Sequence, residues 1–201
     1  MLKIIIAIVV LAFICSSCSK GSVAGGAHSS PSQSSGSSAS PAQTASGEVS
    51  YKVPEGWTVE KPSSEMRVAQ YKLPKAEGDG EDALLVVYYF GAGQGGTPQA
   101  NIERWVNMVK QPDGSPSTDK AKTETLTVNG LKVSTVDVQG NYSGGMSADS
   151  APKDSKLIYR LRGAVIETPK GSYFVKLTGP EKTVNHWDQS FDDYIKSFQF
   201  K

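Results

Sequence analysis

The sequence predicts an α+β fold over residues 48–201, a central antiparallel sheet with helices packed on it. Three observations predict it. Ala83 to Phe90 (ALLVVYYF) is apolar throughout and rich in strand formers. Two strand-like stretches meet at Asn129-Gly130, the strongest short hairpin signal in the chain. Two segments with apolar residues at helical spacing are inserted into or appended to the run of strands, instead of alternating with it as in a parallel sheet.

The chain opens on residues 1–17, which read as a signal peptide. Lys3 supplies the positive start and Ile4 to Ile14 an apolar run of 11 residues, too short to span a bilayer. Cys15-Ser16-Ser17-Cys18 then resembles the bacterial lipoprotein signal, in which small residues precede a cysteine that is lipidated and becomes the new N-terminus. On that resemblance the lipidated residue is Cys18, since Ser16 and Ser17 lie directly before it while Cys15 follows the bulky Phe13 and Ile14. Ser19 is not an inner-membrane retention aspartate, so the resemblance implies an outer-membrane anchor facing the periplasm in a cell that has one. The alternative is an ordinary secreted protein. Residues 18–47 are the lipidated cysteine and a tether: the 29 residues after Cys18 hold 11 Ser, 5 Gly and 5 Ala, too little apolar surface for a core. As a flexible coil it spans about 30 Å. His28, alone among serines, reads as solvated.

Within residues 48–201, Val49 to Val53 and Trp57 to Val59 are short apolar segments hinged by Pro54-Glu55-Gly56, and Met66 to Leu73 alternates as a half-buried strand. Ala83 to Phe90 calls for cover on both faces. The expected cover is a helix capped by Thr97 with Pro98 at its first position, carrying Ile102, Trp105, Val106 and Val109 on one stripe and Arg104 on the other side. Lys122 to Val128 and Leu131 to Val138 form the hairpin. Its second strand changes phase at Val136 and Val138, which predicts a bulge or a change of covered face. Ser143 to Lys156 reads as a long polar loop. Leu157 to Glu167 and Ser172 to Thr178 flank Thr168-Pro169-Lys170-Gly171 as a second hairpin near the sheet centre, and a last helix from Gly179-Pro180 carries Val184, Trp187, Phe191, Tyr194, Ile195 and Phe198.

Val53-Pro54-Glu55-Gly56-Trp57, followed by Arg67-Val68-Ala69-Gln70-Tyr71, resembles the opening of the PsbP-like fold, and the order of elements resembles it to the C-terminus. That fold includes the extrinsic P subunit of photosystem II, a Ran-binding nuclear transport factor and many bacterial envelope proteins. The resemblance implies a PsbP-like domain and carries no activity or ligand with it.

Composition narrows the chemistry. The net charge is +1 and falls to zero without the leader, so a polyelectrolyte partner such as nucleic acid is not expected. Cys15 and Cys18 are the only cysteines, which leaves residues 19–201 without a disulfide or a thiol site. Gly91-Ala92-Gly93-Gln94-Gly95-Gly96 satisfies G-x-G-x-x-G between a strand and a helix, but the antiparallel hairpin that follows is not a Rossmann unit. A flexible loop, or an anion held at the helix N-terminus by the loop of Gly93, Gly95 and Gly96, is less demanding. No cofactor is expected. Glu77, Asp79, Glu81 and Asp82 crowd one loop without EF-hand spacing and read as solvated, and with His186 the one histidine of the domain no metal site is expected. Arg160 and Arg162 share a strand face, while the simplest register puts Lys176 on the opposite one. Trp57, Trp105 and Trp187 read as core.

No nucleophile, base and orienting group can be assembled from these residues. The expected function is therefore a membrane-anchored lipoprotein acting as a non-enzymatic binding or scaffolding module, with the membrane and another envelope protein as partners. The alternative is a small-ligand receptor or enzyme whose site converges from distant segments, drawing on Arg104, Arg160, Arg162 and Lys176.

Overall fold

A computed structural model describes residues 43–46, 48–144 and 157–201. The expected leader, Cys18, His28 and the loop from 145 to 156 lie outside the described residues. In chain order the elements are β1 (Gln43–Ser46), β2 (Val49–Tyr51), β3 (Thr58–Glu60), β4 (Arg67–Leu73), β5 (Ala83–Tyr89), α1 (Pro98–Asn107), β6 (Val109–Lys110), β7 (Lys122–Val128), β8 (Leu131–Tyr142), β9 (Tyr159–Thr168), β10 (Gly171–Pro180), α2 (Glu181–His186), α3 (Asp188–Lys196) and β11 (Gln199–Phe200). Antiparallel pairing orders the main sheet β3-β4-β5-β10-β9-β8, with β6 and β7 both against the far side of β8. A second, small sheet runs β1-β2-β11. The expected α+β class is the one found.

Each face of the main sheet has its own core. On the first face, Tyr71, Leu85, Val87, Val133, Ile166, Val175 and Leu177 meet Val184, Phe191, Tyr194 and Ile195 from α2 and α3. Tyr51, Trp57 and Phe198 close this layer, Tyr51 stacking on Phe198 at 4.8 Å and Trp57 lying 5.1 Å from Tyr194. On the second face, Ile102, Trp105 and Val106 of α1 pack on Val136, Val138, Leu161, Val165 and Phe174. Each such aliphatic side chain contributes about 1.5–3 kcal/mol by leaving water, which outweighs the modest helix propensity of these short helices.

This division explains the phase change in β8. Leu131 and Val133 face the first core, Val136 and Val138 the second, and the pairing of β8 with both neighbours runs without a register break. The change of covered face, not the bulge, is the correct reading. The expectation that α1 covers Ala83 to Phe90 is corrected: α1 packs on β8 and β9. Gly163 is the reason, because a Cβ there would lie 2.5 Å from the Trp105 ring. Only a bare backbone admits the indole.

Other boundaries shift for identifiable causes. α1 starts as expected, with Thr97 Oγ1 accepting from Ala100 N at 3.2 Å, but ends at Asn107, so Val109 is buried from β6. The expected last helix is two helices, because β10 runs on to Pro180 and the chain breaks at Trp187, whose Nε1 donates to the Pro74 carbonyl at 2.8 Å. Trp187 is only half-buried, unlike Trp57 and Trp105. It lies over Gly56 (φ +84°), where a Cβ would come within 2.7 Å of the ring. The Pro54-Glu55-Gly56-Trp57 hinge is thus a turn that needs a bare residue for two separate reasons. The expected tether overlaps β1 at its C-terminal end, since Gln43 pairs with Tyr51 and Thr44 with Ser50. At the other terminus Phe200 pairs with Val49, and Asn129 Nδ2 donates to the Lys196 and Phe198 carbonyls at 3.1 and 2.8 Å.

Candidate functional site

The charges singled out in the sequence separate into two groups on opposite faces of the sheet. Leu177 pairs with Arg162 and Gly179 with Arg160, so both arginines project to the face covered by α2 and α3. Lys176 pairs with Gly163 and projects to the other face, as the simplest register requires. Arg104 is exposed on α1 and donates to Asn101 Oδ1. These four cations do not converge.

Arg160 is saturated by the domain itself, and Arg162 is engaged through both terminal nitrogens while its buried Nε has no hydrogen-bond partner among the described residues. Arg160 grips Asp137 with two parallel bonds, Nε to Oδ1 at 2.9 Å and Nη2 to Oδ2 at 2.6 Å. Its Nη1 reaches Asn185 Oδ1 at 2.8 Å and Asp188 Oδ1 at 2.9 Å. Arg162 Nη1 donates to Asp188 Oδ1 at 2.7 Å, its Nη2 to Asp192 Oδ1 at 2.8 Å, and its guanidinium lies 4.6 Å from the Phe191 ring centroid. The Asp137 hydrogen bonds, the largest influence, raise the Arg160 pKa against the desolvation that lowers it. Two cations facing three carboxylates make a ladder that fastens the α2–α3 corner to β8 and β9.

Beside Lys176, the second face carries buried polar residues that the sequence reading did not single out. Arg67 and Lys176 are 3% and 5% exposed, with Gln70 and Thr178 also buried. Lys176 Nζ donates to Tyr142 Oη at 3.3 Å, and Arg67 Nη1 to Gln70 Oε1 at 2.7 Å, while Gln70 Nε2 continues to Glu60 Oε2 at 3.0 Å. Burial pushes the Tyr142 phenol up to about 12. Arg67 and Gln70 share a face although three residues apart, because the β4–β5 register breaks between Arg67 and Ala69. Strict alternation would have put them on opposite sides. Buried cations require partners, and the Arg67-Gln70-Glu60 relay supplies one set.

The glycine loop borders a cleft of about 460 Å³ between Ala92–Pro98 and the β9–β10 turn. Gly93, Gly95 and Gly96 all have positive φ. Gly95 is bare because Phe174 and Phe90 pack on it, where a Cβ would sit 2.6 and 2.7 Å from their rings. Thr97 Oγ1 occupies the Ala100 N–H, Pro98 has none, and Glu167 lines the cleft. An anion there would meet few free donors and a carboxylate. In the acidic loop, Asp79 Oδ2 accepts from Thr183 N at 2.8 Å and so satisfies the start of α2, while Asp82 Oδ1 accepts from Lys75 N. Among the described residues no group of three His, Cys, Asp or Glu side chains is placed to hold a metal. His186 is exposed, edge-on to Trp187 at 4.9 Å.

The class defined by this arrangement is an α+β domain whose antiparallel sheet carries helices on both faces. LpqN of Mycobacterium tuberculosis, a protein involved in cell envelope biogenesis, shares the fold with TM-score 0.50 and 7% identity over 76% of this chain and 83% of that one. PA94 of Pseudomonas aeruginosa, of unknown function, aligns at TM-score 0.44 and 16% identity over 76% and 91% of the two chains. Cyanobacterial PsbP from Synechocystis aligns at TM-score 0.43 and 12% identity over 77% and 87%. At these identities the likeness is one of fold alone. No protein-family model matches the chain, and no curated protein matches it in sequence.

Proposed function

We propose that the protein is a lipoprotein held in the cell envelope by Cys18, with its PsbP-like domain acting as a non-enzymatic binding module for another envelope protein. The observation that carries this reading is the N-terminal sequence: a positive start, an 11-residue apolar run, Ser16-Ser17-Cys18, then small and polar residues. Several acyl chains at about 0.8 kcal/mol per buried methylene hold such a chain on a membrane. The ladder supports the binding-module half, since Arg160 and Arg162, two of the cations a convergent active site would draw on, are engaged by Asp137, Asp188 and Asp192. LpqN, which shares the fold, is an envelope-biogenesis protein, and the present chain takes its envelope assignment from its own N-terminus. An outer-membrane location facing the periplasm is the finer part of the proposal.

Membrane fractionation of native protein and of Cys18→Ala tests it. The native chain is expected in the membrane fraction and the variant released or unprocessed. A variant that is processed and anchored like the native chain overturns the assignment.

A further inference from the structure

The sheet ends at β7 over residues 122–128, and among the described residues no strand pairs with its outer edge. The opposite end, β3, offers three residues, whereas β7 offers seven. Its ladder with β8 is unbroken from Lys122–Asp137 to Val128–Leu131, and it contains no proline. Asn129 (φ 49°) and Gly130 (φ 83°) form a two-residue turn, so Val128 and Leu131 exchange main-chain hydrogen bonds. Alternation from that pair leaves Thr123, Thr125 and Thr127 with their N–H and C=O groups pointing away from β8. All three threonines are exposed.

Exposed edges of this length are ordinarily blunted by charge, proline or a bulge. The charges on β7 do something else. Lys122 and Glu124, opposite in sign and two apart, share one face, and neither has an ion pair among the described residues. Two copies of β7 paired antiparallel about an axis through Thr123 set Lys122 opposite Glu124 of the second copy, and the reverse. An axis through Thr125 sets Lys122 opposite Val128 and Glu124 opposite Leu126, with no facing ion pair. Charge therefore selects one register of self-pairing.

We propose that a second copy of this chain docks on β7 and continues the sheet across a two-fold axis through Thr123. The test places a cysteine at Thr123 or Thr127 in the full chain in its native envelope and resolves products by non-reducing electrophoresis. Paired Cα atoms at the axis are about 5.5 Å apart, within reach of a disulfide, whereas the two copies of residue 127 are separated by roughly 26 Å. Cys15 and Cys18 are common to both variants and cancel in the comparison.

The expected result is a dimer band for Thr123→Cys and none for Thr127→Cys. Adding Lys122→Glu or Glu124→Lys alone should weaken association about tenfold, and the double exchange should restore it. Absence of the Thr123 dimer, an equal Thr127 dimer, unchanged yield in the single reversals, or cross-linking to a different protein overturns the proposal. Sedimentation of the unsubstituted full chain in mild detergent gives an independent reading, for which a monomer at every concentration is the refuting result.

Discussion

The ladder converts a surface-looking basic pair into a structural one, and Arg160 is where the difference can be measured. Replacing Arg160 by Leu removes two bonds to Asp137, one to Asp188 and one to Asn185. Bonds to charged groups contribute about 1.5–3 kcal/mol each when buried. Asp137 and Asp188 are 26% and 43% exposed and regain water, so the sum is discounted heavily. A net loss of about 2–4 kcal/mol follows, which at a slope of about 2 kcal/mol per molar lowers the urea midpoint by roughly 1–2 M. A double-mutant cycle with Asp137→Asn should return a coupling of about 1–2 kcal/mol. Urea unfolding followed by tryptophan fluorescence reads both quantities. A variant as stable as the native chain that has lost partner binding would refute the reasoning, because it would mean the guanidinium is held for a ligand.

Two further predictions concern the buried phenols and the glycine loop. Burial raises Tyr51, Tyr71 and Tyr194 as well as Tyr142, so folding favours the neutral phenols. Their stabilisation is complete below the unfolded value of about 10 and is lost as pH climbs toward the folded values, by up to about 1.4 kcal/mol per pH unit per phenol. Denaturant titrations between pH 10 and about 12 should therefore show a shallower decline for Tyr142→Phe, and an identical decline would contradict this account. Gly95→Ala should cost about 2–3 kcal/mol, from its overlap with Phe174 and Phe90 on top of a positive φ. Gly93→Ala has open space and bears only the backbone cost of about 1 kcal/mol, so thermal melts that rank the two the other way would show that packing is not what keeps Gly95 bare.

The sequence reveals what depends on neighbours in the chain and conceals what depends on distant ones. Thr97-Pro98 and Asn129-Gly130 are local signals, and both mark their elements correctly. The spacing of Arg160 and Arg162 placed them on one face, and the hairpin register separated them from Lys176. Their counter-ions could not be read, because Asp188 and Asp192 arrive from a helix 26 to 30 residues later. The buried Arg67 and Gln70 escaped for another reason, a register break in β4 that no alternation rule anticipates. The break at Trp187 escaped too, since the apolar spacing runs through it and only the Pro74 carbonyl shows why the helix stops.

The small sheet binds the beginning of the domain to its end. β1 and β11 both pair with β2, Lys201 N donates to the Glu48 carbonyl at 2.8 Å, and Asn129 clips the last turn of α3 to the β7–β8 hairpin. A pull applied to the chain ahead of Gln43 loads the edge pairing of β1 with β2 first, and β2 behind it is held by the C-terminal strand, whose approach Asn129 ties to the rim of the main sheet. Loss of the last three residues would weaken the domain at its entrance, so the final residues of the chain act as the mechanical seal of the first.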